Sequence, residues 1–178
     1  MTITKINPRV YTYYLSSDKN DPEYASCLWA QFVFDCSTGT LNINSDAGDY
    51  SYRWGYNEHE DFMHLMSRIN KDYLLNKISN RTVFCLKESI RETVRAIELN
   101  GFECYGIESE ENWQEIKQDL LNLDVYSEES YFDKVDSIVP AIDLESIYVE
   151  KDYPCGAKVV CDLFETYLLP MLKEEFGG

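Results

Sequence analysis

"CLWAQFVFDCSTGTLNINSDAGDYSYRW", residues 27–54, decides the fold. It reads as three consecutive strands joined by two short turns. Over residues 27–36, Leu28, Ala30, Phe32 and Phe34 alternate with Trp29, Gln31, Val33 and Asp35. This period of two sends successive side chains to opposite faces of a sheet. "STG" (37–39) has turn chemistry, with Gly39 free to take a positive φ. In "TLNINS" (40–45), Leu41 and Ile43 alternate with Asn42 and Asn44, the mark of a half-buried strand with a wet outer face. "DAGD" (46–49) is a second hairpin turn. Beyond it, Tyr50, Tyr52 and Trp54 share one face, with Ser51 and Arg53 opposite. The expectation is an antiparallel meander whose aromatic face packs on a helix.

Outward from the meander, "RVYTYYLS" (9–16) is rich in β-branched and aromatic residues and extends the sheet. After residue 57 the apolar period lengthens toward 3.6. Helices are expected over 58–69, 71–78, 87–102 and 110–123, and from Pro154 to the C-terminus with a kink at Pro170. "TVFCLKE" (82–88) is ambiguous between strand and connection, and residues 124–153 give no clear period. The fold class is therefore α+β: an N-terminal antiparallel β-meander packed against C-terminal helices. A single domain is expected over 1–178, β-rich to residue 57 and helical and acidic from 58.

Composition narrows the function. With 44% apolar and 14% aromatic residues, the chain can bury a core. No apolar run reaches the roughly 20 residues of a membrane span, and the first residues lack a signal-peptide core. The expected setting is the cytoplasm, with no membrane partner. The net charge of −16 argues against direct nucleic-acid binding, because phosphate affinity comes from Lys and Arg. Between residues 101 and 150, fourteen acids face only Lys117 and Lys134, a local −12.

Catalytic and metal motifs are missing. The six cysteines contain no C-x-x-C pair, and most lie among apolar neighbours, which suggests buried structural thiols. "HEDFMH" (59–64) spaces its histidines five apart, about 140° around a helix, so they cannot grip one metal as the i, i+4 pair of H-E-x-x-H does. Neither a phosphate-binding glycine loop nor a nucleophile elbow occurs. No metal, cofactor or catalytic residue is assigned, and the reading leans to a non-enzyme.

Two constellations remain. If 108–123 is helical, Glu108, Glu111, Glu115 and Asp119 line one flank, away from Trp113, Ile116 and Leu120. Glu128 and Glu129 follow. These six acids are the candidate surface for a basic partner, although one flank is too sparse to imitate duplex DNA alone, which carries a charge every 1.7 Å or so. The plainer reading is a solvated acidic face. The alternative is a ligand site at the hairpin, built from Asp46, Asp49 and Arg53. There too a plainer reading stands: the acids as turn residues, and Arg53 paired with Asp35 or another acid on the sheet surface.

"GTLNINSDAGDYSYRWG" followed by "EDFMHLMSRINKDYLLNKIS" resembles small phage and prophage proteins over about residues 32–79. The resemblance implies a viral or mobile-element origin and supplies no catalytic residues. It does not reach the acidic part. By analogy of class, small acidic phage proteins inhibit host-defence nucleases, as anti-CRISPR and anti-restriction proteins do. The expected function is thus a non-enzymatic phage accessory protein that binds the basic surface of a host protein, a nuclease or another nucleic-acid-binding groove. The rivals are an enzyme or small-ligand binder at the hairpin, and a virion or assembly protein.

Overall fold

The computed structural model describes residues 9–55, 61–139 and 141–177. His59 and the first residues of the helix expected from 58 lie outside them. The fold is α+β, with the N-terminal antiparallel sheet and the helices anticipated from the sequence. Packing divides the chain into two compact units, Met1–Arg81 with Tyr153–Gly178, and Thr82–Asp152. The division in packing does not fall at residue 57. The meander and the C-terminal helix share one core, whereas residues 82–152 build another.

In the first unit, β1 (Val10–Ser16), β2 (Trp29–Asp35), β3 (Thr40–Ser45) and β4 (Tyr50–Arg53) form an antiparallel sheet in the order β1-β2-β3-β4. The register pairs Tyr13 with Phe32, Phe32 with Ile43, and Ile43 with Tyr50. This puts Ala30, Phe32, Phe34, Leu41 and Ile43 on the buried face. Gly39 takes the positive φ that the β2–β3 turn requires, +64°.

The helices against this face are α1 (Phe62–Met66), α2 (Lys71–Ile78), α6 (Cys155–Leu163) and α7 (Leu169–Phe176). The helix expected over 58–69 is shorter than its apolar pattern. Asp61 caps α1 by accepting from the Met63 N–H, and Asn70 caps α2 by accepting from the Tyr73 N–H. Two caps only nine residues apart leave room for a single short helix. The C-terminal helix does not simply break at Pro170. A π-helical turn, Phe164–Leu168, precedes α7, and the Leu169 N–H reaches back five residues to the Phe164 carbonyl. A widened turn of this kind relieves the clash between a proline ring and the carbonyl four residues earlier.

The second unit begins with β5 (Val83–Phe84) and ends with β6 (Lys151–Asp152), which pair antiparallel. Between them lie α3 (Leu86–Asn100), α4 (Glu110–Leu121) and α5 (Glu128–Ile138). "TVFCLKE" thus holds both readings in succession, a two-residue strand and then the start of α3. Ile90, Val94, Ile97, Trp113, Leu120, Tyr131 and Val135 make the core. Two buried hydroxyls on α3 tie down the returning chain. Ser89 Oγ accepts from the Glu150 N–H at 2.8 Å, and Thr93 Oγ1 accepts from the Tyr148 N–H at 3.0 Å and from the Tyr131 hydroxyl at 2.9 Å.

The cysteines depart from the expectation of general burial. All six are free thiols, but only Cys27 and Cys161 are buried, while Cys104 and Cys155 are exposed. Of the three set among apolar neighbours in sequence, Cys27 and Cys161 are buried and Cys85 is half-buried; the exposed Cys104 sits in a surface 3-10 turn and the exposed Cys155 opens α6. A thiol reagent is therefore expected to modify Cys104 and Cys155 in the native state, and Cys27 and Cys161 only on unfolding; mass-resolved labelling checks this. Burial pushes the Cys161 thiol up to about 12, and burial together with the bond to Asp46 pushes Cys27 up to about 11. The fold favours the protonated thiols, so their stabilisation is complete below the ordinary thiol value of about 9 and is lost as pH rises toward 11–12. Urea midpoints should fall between pH 8 and 10.5, with a shallower fall in Cys161→Ala.

Candidate partner-binding surface

The acidic unit is positioned by local capping. Ser109 accepts from the Asn112 N–H to start α4, and Ser127 accepts from the Ser130 N–H to start α5. Glu110 and Glu111, and Glu128 and Glu129, occupy the two first turns, where a carboxylate complements the positive end of the helix. Trp113 and Leu120 turn inward, Trp113 stacking on Phe102 with ring centroids 6.4 Å apart.

Glu111, Glu115 and Asp119 project outward from α4, spread over about 12 Å of its axis. Glu108 is also exposed but precedes the N-cap, so it lies off the helix on which the sequence pattern put it. Glu129 is exposed on α5. Glu128 is already engaged, with its carboxylate 2.8 Å from Lys151 Nζ. Among the described residues the other five have no basic partner within ion-pair distance.

The unit's bases are largely occupied within it. Lys117 holds Glu98 at 2.6 Å, and Arg91 and Arg95 both reach Glu92, at 3.1 and 3.5 Å. Residues 82–152 contain eighteen acids and six bases, so this one folded unit carries −12 of the chain's −16. Apolar surface accompanies the acids. Leu121, at the end of α4, is 50% exposed, and Tyr126, between α4 and α5, is 89% exposed with its hydroxyl 3.3 Å from Asp124. Sequence reasoning missed these two. The signal available was Ser127 followed by two acids, a helix start that leaves Tyr126 just outside it.

The hairpin residues are not brought together. Asp46 folds back onto β2. Its carboxylate accepts from the Leu28 N–H at 2.9 Å, the Trp29 N–H at 3.3 Å and the Cys27 thiol at 3.0 Å. The Cys27 thiol first, and then the Leu28 N–H, hold its pKa below the ordinary carboxylate range. Asp49 is exposed in the turn. Arg53 is four residues further along the strand, about 13 Å away. Its Nε donates to the Thr38 carbonyl at 3.2 Å rather than to Asp35, which itself accepts from the Ser37 N–H and the Thr38 hydroxyl. The expected Arg53–Asp35 pair is thus replaced by turn chemistry.

The aromatic face of the same strand is structural. Trp54 is 6% exposed and packs on Tyr52 and Phe62, and its indole N–H donates to Tyr73 of α2 at 3.1 Å. Lys77 of α2 lies over the Tyr52 ring, and Tyr50 faces Gly156 of α6. His64 places Nδ1 2.9 Å from the Phe176 carbonyl, ending α7. No group of three or more His, Cys, Asp or Glu side chains is placed to hold a metal ion among the described residues. No described helix is long and apolar enough to cross a membrane.

No curated protein matches the chain, and no solved structure does. A family model described as a phage family matches residues 1–174. The match takes in the strands and helices of residues 32–79, and the acidic unit as well, which the resemblance read from the residues did not reach. The chain therefore belongs to this phage protein family.

Proposed function

We propose that this phage protein is a non-enzymatic accessory factor whose acidic unit binds a basic surface of a host protein, a defence nuclease or another nucleic-acid-binding protein, in the host cytoplasm. The observation that carries this reading is the segregation of charge. One folded unit holds −12, its bases are mostly paired internally, and it also exposes Tyr126, whose hydroxyl lies 3.3 Å from Asp124. Such a surface steers a basic partner by long-range attraction, and an exposed aromatic is the kind of side chain that anchors an interface once water is excluded. The hairpin reading has less support, because Asp46 is committed to backbone groups and Arg53 is a strand length away.

A pull-down from host lysate at low salt and at about 0.5 M salt tests the electrostatic basis, since screening shortens to a few ångströms in strong salt. The sharper test reverses Glu115 and Asp119 to Lys. Both lie beyond the first turn of α4, so the helix terminus keeps its favourable charge. The expected result is an unchanged fold, slower association and a flatter salt dependence. Asp49→Lys with Glu174→Lys makes the same charge change in the first unit, at exposed positions. Asp18 and Asp21 are unsuitable controls because their carboxylates accept backbone N–H groups of their own loop. If both double variants bind the captured partner alike, the acidic unit is only a solubilising surface.

A further inference from the structure

We propose that a cavity in the first unit, between the end of β1 and the π-helical turn, receives a guanidinium group, the side chain of an arginine on a protein partner. This site does not depend on the reading of the acidic unit. The cavity has a volume of about 330 Å³. Tyr14 and Ser16 of β1 line one side, Ser17 and Asp21 of the following loop another, and Leu163 and Tyr167 the floor and far wall.

Among the described residues, every polar side chain lining it ends in oxygen, and none is a Lys or Arg. A guanidinium is the complement of that set, with five N–H donors, no acceptor and a fixed positive charge. Asp21 supplies the counter-charge. Its Oδ2 accepts from the Asp18 N–H at 2.7 Å, which fixes the carboxylate in the wall, and a carboxylate has lone pairs left for a second donor. Aromatic faces supply the rest. Tyr14 is 64% exposed and stacked on Trp29 at 6.3 Å, and Tyr167 is 40% exposed on the π-helical turn, a backbone form frequent at functional sites.

The same unit already seats its own cations on tyrosine rings. Lys77 lies 5.3 Å from both Tyr52 and Tyr73, and Arg81 lies 5.4 Å from Tyr153. Buried Leu163 offers an apolar floor for the methylene stem. A neutral polyol would match the hydroxyls but leave the carboxylate without a counter-charge. Arginine fits better than lysine because its planar group both stacks on rings and bonds a carboxylate two-fold.

The test follows amide signals of the full chain during titration with N-acetyl-arginine methylamide. The capped lysine, the capped citrulline (the same shape without the charge) and maltose are the comparisons. The expected result is saturable shifts at Ser16, Ser17, Asp21 and Tyr167, with citrulline weaker by about tenfold and lysine and maltose weaker than arginine. Asp21→Asn keeps an acceptor for the Asp18 N–H and should weaken arginine binding by about tenfold. Tyr14→Ser, at an exposed position and independent of the loop, should weaken it several-fold. Equal binding of citrulline or maltose, shifts spread over the acidic surface instead of the cavity, no saturable shift, or wild-type affinity in both variants would overturn the proposal. Lysine binding as tightly as arginine would overturn the guanidinium assignment.

Discussion

Trp54→Ala is expected to lower the stability of the fold by about 3–5 kcal/mol, the range for deleting a buried indole. The ring is 6% exposed, lies edge-on to Tyr52 at 4.7 Å, and contacts Phe62 at 5.6 Å. Removing it leaves a cavity where β4, α1 and α2 meet, and takes away the N–H that donates to the Tyr73 hydroxyl. Tyr73→Phe separates the two contributions. That change removes only the hydrogen bond and should cost about 1 kcal/mol. Urea unfolding followed by circular dichroism measures both. A Trp54→Ala curve that overlays wild type would mean that the aromatic face is not part of the core, and would return it to consideration as a binding platform.

Gly156→Ala should be nearly as damaging, at about 3 kcal/mol, the upper part of the range for overpacking a core. Gly156 sits in the first turn of α6, directly against the 46–49 turn. A Cβ there would overlap the Ala47 carbonyl oxygen and come within 2.8 Å of the Tyr50 hydroxyl. The first obstacle is backbone, so it cannot swing aside as a side-chain end can. Either the helix lifts from the hairpin or the turn deforms, and both loosen the sheet–helix core. Gly55→Ala is the matched control, since no atom of the described residues lies within 4 Å of a Cβ there, and it should be neutral within about 0.5 kcal/mol. Equal denaturation midpoints for the two variants would show that the close approach at Gly156 contributes nothing.

The meander was legible because each strand carries its own alternation and each turn its own turn residues. The inward set of β2 and β3 (Ala30, Phe32, Phe34, Leu41 and Ile43) is the set that the period of two singles out, except that the period also placed Leu28 there, which precedes β2 and is exposed. The helices of residues 71–121 were legible for the same local reason. What escaped notice is what local pattern does not encode. The pairing of β5 with β6 joins residues nearly seventy positions apart, through two-residue strands too short to show a period. With that pairing hidden, the division of the chain into two units was hidden too. In α5 only Tyr131 and Val135 are fully buried, so its apolar stripe is thin. In the candidate surface, the charge excess could be counted from the residues, but its internal neutralisation could not. Lys151 meets Glu128 only because β6 returns beside α5's first turn. Asp46 looked equally available as a turn residue or a ligand group, and three donors from residues 27–29 decided its use.

The β5–β6 pair has a consequence for chain entropy. Seen from the sheet core, residues 82–152 are a long excursion between α2 and α6. A flexible loop of that length would cost the core roughly 4 kcal/mol in closure, by (3/2)RT ln n. Here the Thr82 N–H donates to the Asp152 carbonyl at 3.0 Å, and the two ends of the excursion are held one strand spacing apart, about 5 Å. Closure is thereby charged to the folding of the excursion itself, and the sheet core meets what amounts to a short turn. Changes among the outward carboxylates of α4 and α5 leave that turn untouched as long as the strand pair forms. The acidic surface is thus free to diverge in sequence without placing the meander at risk.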